Sequence, residues 1–241
     1  MSCGPRHVSG VAGRAAGEAP GESAGHGAAG RGGAVDDTLR AMAEHVAEED
    51  GPTRDRLLAL AGAAPARADA RDALTEWLTA VGRPLWQQEM AAYALALAGD
   101  PRAFETLVFL LNHRDPVRGE RAAEGLFALA DPRTGRAAAA LAGNALRTAY
   151  ALHPVRLLTR LRAPEAAPTL SALLRRLLAG PEHHWPVARA CVEGLAALAD
   201  PGCRPLLTDA LAHPPLRPAA EVALCALPSP EPAASPELPG A

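Results

Sequence analysis

Two stretches of this chain are nearly the same sequence. Ala122–Pro132 reads AAEGLFALADP and Cys191–Pro201 reads CVEGLAALADP, agreeing at eight of eleven positions. A third, AAYALALAGDP at Ala91–Pro101, keeps the Ala/Leu spacing and the Asp-Pro ending, and weaker copies end at Pro65 (AGAAP) and Pro164 (RLRAP). The five prolines at 65, 101, 132, 164 and 201 stand 36, 31, 32 and 37 residues apart. Self-similarity at a period of about 20–50 residues marks a unit that cannot bury its apolar face alone and must stack on copies of itself. The chain is therefore constrained to a repeat solenoid.

Composition makes the unit helical. Of 241 residues, 49% are hydrophobic but only 3% aromatic, so alanine and leucine carry the apolar share, and both favour helix over strand. An all-β domain, a collagen-like chain and a wholly disordered one are excluded. Each Asp-Pro pair (100–101, 131–132, 200–201) sets an N-cap acceptor before a proline at the first helical position, where its fixed φ helps and its missing N–H costs nothing. The clearest unit continues as PRAFETLVFLLN, with Leu107, Leu110 and Leu111 at helical spacing. It turns at His113–Pro116 and returns as VRGERAAEGLFALA, with Val117, Ala122, Gly125, Leu126 and Leu129 read as one stripe. Gly125 and Gly194 are costly inside a helix, by about 1 kcal/mol against alanine, unless a neighbouring helix packs on them. Pro154 predicts a kinked or split helix in the third unit.

The repeats occupy one segment. Residues 1–33 hold ten of the 22 glycines and only Val8 and Val11 as branched aliphatics, too little apolar surface to offset ordering entropy. Residues 228–241 are proline-rich and read as a second loose tail. Between them, 34–227 is expected to form about five helical hairpins preceded by a helical pair near 36–62.

Asp-Pro-Val-Arg at 115–118, followed by an Ala/Leu-rich helix ending in Ala-Asp-Pro, resembles the short HEAT-like repeat of the phycobilisome-lyase type. The resemblance covers about 65–227. It implies an all-α fold, a right-handed α–α superhelix with first (A) helices on the convex side and second (B) helices on the concave side. It also implies that Arg147 pairs with acidic residues inside the stack. Asn144-Ala145-Leu146-Arg147 departs from the Asp-Pro-Val-Arg pattern.

Net charge is −3, but its distribution is uneven: −6 over 34–100, +6 over 101–189 and −4 over 190–241. All 24 basic residues are arginine, and 132–180 holds eight of them against Glu165 alone. Stacking should gather these into a central basic band, and one-signed patches on concave surfaces steer association. His153, Arg156 and Arg160 share one helical stripe and, with Arg162, Arg175 and Arg176, form the candidate partner-binding set.

Other chemistries find less support. No His-Glu pair of the kind HEAT-like di-iron hydroxylases repeat is present, and adjacent histidines at 183–184 point apart with no Glu or Asp placed to complete a ligand set, so no metal site is expected. No nucleophile elbow, P-loop or dinucleotide fingerprint occurs in the repeat segment, so no cofactor is expected. Trp77 belongs to a core stripe with Leu74, Leu78 and Val81, whereas Trp86 and Trp185 follow inter-helix turns and read as rim residues. The four cysteines (3, 191, 203, 225) show no Cys-x-x-Cys spacing and read as three buried thiols plus one in the tail. No membrane span or secretory leader is visible, which points to a cytoplasmic protein. The function expected is a non-catalytic scaffold binding a protein or peptide on the concave face. The alternative is a nucleic-acid-binding or repair protein similar to the HEAT-like alkylpurine DNA glycosylases, using the arginine band.

Overall fold

The computed structural model describes residues 36–80 and 82–228; the expectations for 1–33, for Cys3, for Val81 and for the segment beyond Pro228 fall outside them. The described residues form twelve α-helices and, among them, no strand. Helices α1 (Asp37–Glu44) and α2 (Gly51–Ala63) make the N-terminal pair. Five hairpins follow: α3 (Ala68–Thr79) with α4 (Leu85–Leu97), α5 (Phe104–Leu111) with α6 (Pro116–Leu129), and α7 (Thr134–Gly143) with α8 (Leu152–Leu161). Then come α9 (Ala166–Ala179) with α10 (Trp185–Leu198), and α11 (Arg204–Ala210) with α12 (Arg217–Ala226). The helices pack within each hairpin, and the B helices α4, α6, α8, α10 and α12 pack on one another in that order. This is an all-α, HEAT-like solenoid. None of the described helices is long and apolar enough to cross a membrane.

The Asp-Pro joints act as the sequence implies. Asp100, Asp115, Asp131 and Asp200 each accept the backbone N–H two residues on, at 2.9–3.1 Å. Just before three of the joints the chain takes a left-handed residue: Gly99 (φ 69°), Ala130 (φ 53°) and Ala199 (φ 56°). Arg162 (φ 48°) does so before Ala163-Pro164. Glycine fits that conformation without strain and the other three residues do not.

Arginines then tie successive repeats together. Arg102 bridges Asp100 (2.6 Å) and Asp72 of the preceding A helix (2.8 Å). Arg133 does the same between Asp131 (2.9 Å) and Glu105 (3.3 Å). Those guanidinium groups hold the Asp100 and Asp131 carboxyls below the usual carboxylate range. Glu165 stands where the third copy would carry the arginine, and the ladder stops there.

Helix α4 is enclosed by α1, α2, α3, α5 and α6. Every residue from Glu89 to Ala96 is buried, and alanine at four of those positions (91, 92, 94 and 96) lets five neighbouring helices approach closely. The core runs on through Leu107, Leu110 and Leu111 of α5, Leu126 of α6, Leu157 and Leu158 of α8, Leu170, Leu173, Leu174 and Leu177 of α9, and Leu195 of α10. Gly125 and Gly194 sit where helices touch: a Cβ at 125 would lie 3.1 Å from Leu107 Cδ2 and 3.3 Å from Tyr93 Cδ2. The third unit is split as Pro154 implies. A 3₁₀ segment, Ala145–Tyr150, precedes α8, and Pro154 falls in the first turn of α8, where no N–H is required.

Three expectations are corrected. Val117 is 49% exposed and does not belong to the buried stripe of α6; it falls out of register with Ala122. Cys191 and Cys203 are buried, but Cys225 is exposed on α12. Arg147 has no acidic partner among the described residues; it donates to Asn112 O at 2.8 Å and lies 4.4 Å over the Tyr150 ring.

Candidate binding face of the B-helix layer

The outward stripe of each B helix is polar or small. On α6 it carries Val117, Glu120 and Ala128, on α8 Arg156 and Arg160, and on α10 Pro186, Arg189, Glu193 and Ala197, all exposed. The stripes are neighbours. Glu120 and Arg156 both act electrostatically on the His153 imidazole, Glu124 and Arg160 both act on the Tyr93 hydroxyl, and Arg160 stacks 3.6 Å over the Phe127 ring of α6. Arg189 donates to Glu193 one turn on at 2.8 Å. The result is a mosaic of carboxylates on α6, guanidinium groups on α8, and an ion pair on α10.

The six residues marked from the sequence divide between layers. His153, Arg156 and Arg160 share the B face. Arg162 lies at the far end of α8 as its left-handed C-cap. Arg175 and Arg176 belong to α9 in the A layer, and Arg176 donates to Gly143 O (3.1 Å) and Thr148 Oγ1 (3.4 Å), serving the end of α7. Arg133 is paired with acids and Arg147 with a carbonyl. The eight arginines contiguous in sequence are therefore not contiguous in space.

His153 is half-buried, and its Nε2 is enclosed with no hydrogen-bond partner among the described residues. Burial pushes its pKa down, Arg156 adds to that shift and Glu120 opposes it. The ring is wedged against α6, 3.1 Å from where a Cβ at Gly119 would lie.

Two features of this layer escaped the sequence reading. Glu89 of α4, 4% exposed, is ion-paired with Arg118 of α6 (3.2 Å) and accepts a hydrogen bond from Arg121 of the same helix (3.4 Å). Arg118 is the arginine of Asp-Pro-Val-Arg, so a buried acid one repeat earlier was the missing half of that motif. The second feature is a cleft of about 480 Å³ lined by Arg156, Trp185, Pro186, Arg189, Ala190, Glu193 and Pro215. Trp185 is indeed a rim residue, half-buried, whereas Trp77 is buried in the core. Among the described residues, no group of three or more His, Cys, Asp or Glu side chains could hold a metal ion.

Comparison with known proteins agrees with this architecture. No curated protein matches the chain. Residues 87–113, running from the first turn of α4 through α5, match the family model described as the PBS lyase HEAT-like repeat. That match, one repeat long, sits inside a stack of helical hairpins built on Asp-Pro joints, so residues 87–113 are similar to a HEAT-like repeat and the architecture around them is consistent with a HEAT-like repeat protein.

Proposed function

We propose that the protein is a non-catalytic interaction scaffold, cytoplasmic, whose B-helix face binds a segment of another protein. HEAT-like repeats usually serve as protein-interaction scaffolds, and one observation carries the reading to this face. Its charges alternate from repeat to repeat (Glu120 and Glu124, then Arg156 and Arg160, then Arg189 with Glu193) where a polyanion would need one sign throughout. The three cysteines of the described residues are free thiols, in keeping with a reducing compartment.

The second reading, nucleic acid on the arginine band, rests on Arg156, Arg160 and Arg162, which are exposed and have no carboxylate partner among the described residues. Titration of labelled duplex and single-stranded DNA and RNA into the full chain separates the two. The scaffold reading expects only weak binding that vanishes at physiological salt. Sub-micromolar affinity with a log–log salt slope of about −3 to −5, the mark of three to five phosphate contacts, would favour nucleic acid instead.

A further inference from the structure

We infer that the cleft between α8, α10 and the α11–α12 turn is a subsite for an extended acidic peptide, with a proline or other apolar residue seated beside Trp185 and a carboxylate on Arg156. The inference rests on the scaffold reading and gives its partner a chemistry.

The cleft holds about 480 Å³, within the range of small-ligand sites and enough for a few residues of peptide. One wall is apolar and rigid. The Trp185 ring is stacked on His183 at 4.2 Å and 19°, and His213 from the α11–α12 turn leans on it at 5.8 Å. His183 is itself fixed by Leu177 O, 2.9 Å from its Nδ1. Pro186 and Pro215 complete that wall with surfaces that lose no side-chain freedom on binding. An aromatic wall flanked by fixed apolar ridges suits a polyproline-type segment. Such a segment is extended before it binds and keeps its backbone groups free for solvent.

The other wall sets the sign of the ligand. Arg189 spends its Nε on Glu193, whereas Arg156 has no carboxylate partner among the described residues, and Arg160 lies one turn further along the same exposed stripe. The local balance is an uncompensated cation beside an ion pair, complementary to a ligand with one or two carboxylates. Glu193 in the lining disfavours a polyphosphate, and a guanidinium meets a carboxylate with paired N–H donors. Peptide, rather than nucleic acid or lipid, is the class that satisfies both walls.

The test uses the full chain and three fluorescein-labelled twelve-residue peptides in an anisotropy titration. The first repeats Glu-Pro-Leu, the second replaces its Glu by Lys, and the third keeps Glu but replaces Pro and Leu by Gly and Ser. Saturable binding of the first, at least tenfold tighter than either other, is expected. Arg156→Glu and Trp185→Ala should each weaken it by tenfold or more, and Val222→Lys, on exposed α12, should leave it unchanged. If Trp185→Ala unfolds the chain, Trp185→Phe keeps the wall in place and should weaken binding by less than Arg156→Glu.

Equal binding of acidic and basic peptides overturns the assignment, as does indifference to Arg156→Glu. A cleft filled by a second copy would show as a dimer in sedimentation that Arg156→Glu dissociates, and that too overturns it. Partner capture at α6 or α8 but not at the cleft leaves the scaffold reading standing and refutes the subsite alone.

Discussion

Gly194 on α10 lies directly against Thr159 on α8: a Cβ at 194 would overlap Thr159 Oγ1 and come within 2.5 Å of Leu170 Cδ2. The Thr159 hydroxyl is not free to swing away without loss, since it donates to Val155 O at 3.1 Å. Gly194→Ala should therefore cost ~1–3 kcal/mol in overpacking, which outweighs the ~1 kcal/mol gained in helix propensity. At Gly125 the neighbours are further off, and the same substitution should be nearly neutral. Urea denaturation of both variants checks this. A stabilised Gly194→Ala would contradict the α8–α10 packing, and Thr159→Ala in the same chain should relieve part of the cost.

The left-handed residues before the Asp-Pro joints give the opposite expectation. Ala130 and Ala199 bear a side chain in a conformation that Gly99 occupies freely in the equivalent position. A non-glycine residue there carries of order 1 kcal/mol of strain, and relieving it outweighs the larger unfolded-state entropy that Gly brings. Ala130→Gly and Ala199→Gly should each raise the melting temperature. A fall would show that the joint does not need the left-handed turn.

Glu89 is a buried carboxylate holding two arginines of the next repeat. Glu89→Ala should cost more than ~1 kcal/mol and less than the ~3–5 kcal/mol of a fully buried pair, because Arg118 and Arg121 keep some access to water. Glu105→Ala removes an exposed partner of Arg133 and should cost under ~1 kcal/mol. Denaturant midpoints of the two variants should differ in that order. Equal effects would mean that burial of Glu89 adds nothing.

Burial lowers the His153 pKa below the ordinary histidine value, and this fixes the sign of a pH dependence. As pH falls through about 6.5, where the unfolded imidazole titrates, the unfolded state takes up the proton first, so stability declines until the folded pKa is reached. His153→Gln should flatten the unfolding free energy between about pH 7.5 and 5.5 relative to the unmodified chain. An unchanged slope would place the titrating group elsewhere.

The fold was legible in the sequence because its determinants are local and periodic. Asp before Pro specifies a cap whatever lies around it, and the glycines of the two near-identical stretches mark helix contacts. The binding face was less legible, because pairings such as Glu89 with Arg118, or Arg176 with Gly143 O, join residues about one repeat apart and depend on stacking register. For the same reason an arginine-rich segment read as one band divides between two layers: Arg156 faces out from α8, whereas Arg175 and Arg176 ride on α9. The cleft at Trp185 needed a proline from the following hairpin, Pro215, which no spacing within α10 announces.

The central claim, that partners are taken on the B-helix face, is tested most directly by site-specific photo-crosslinking in the native host. A photoreactive residue is placed singly at Glu124, Arg160 and Ala197 on the B face and at Phe109 and Arg175 in the A layer, with nuclease-treated extracts compared. The account predicts that the B-face positions capture the same protein, that the A-layer positions do not, and that nuclease changes nothing. Capture from Phe109 or Arg175 in preference to the B face, or capture abolished by nuclease, would contradict it.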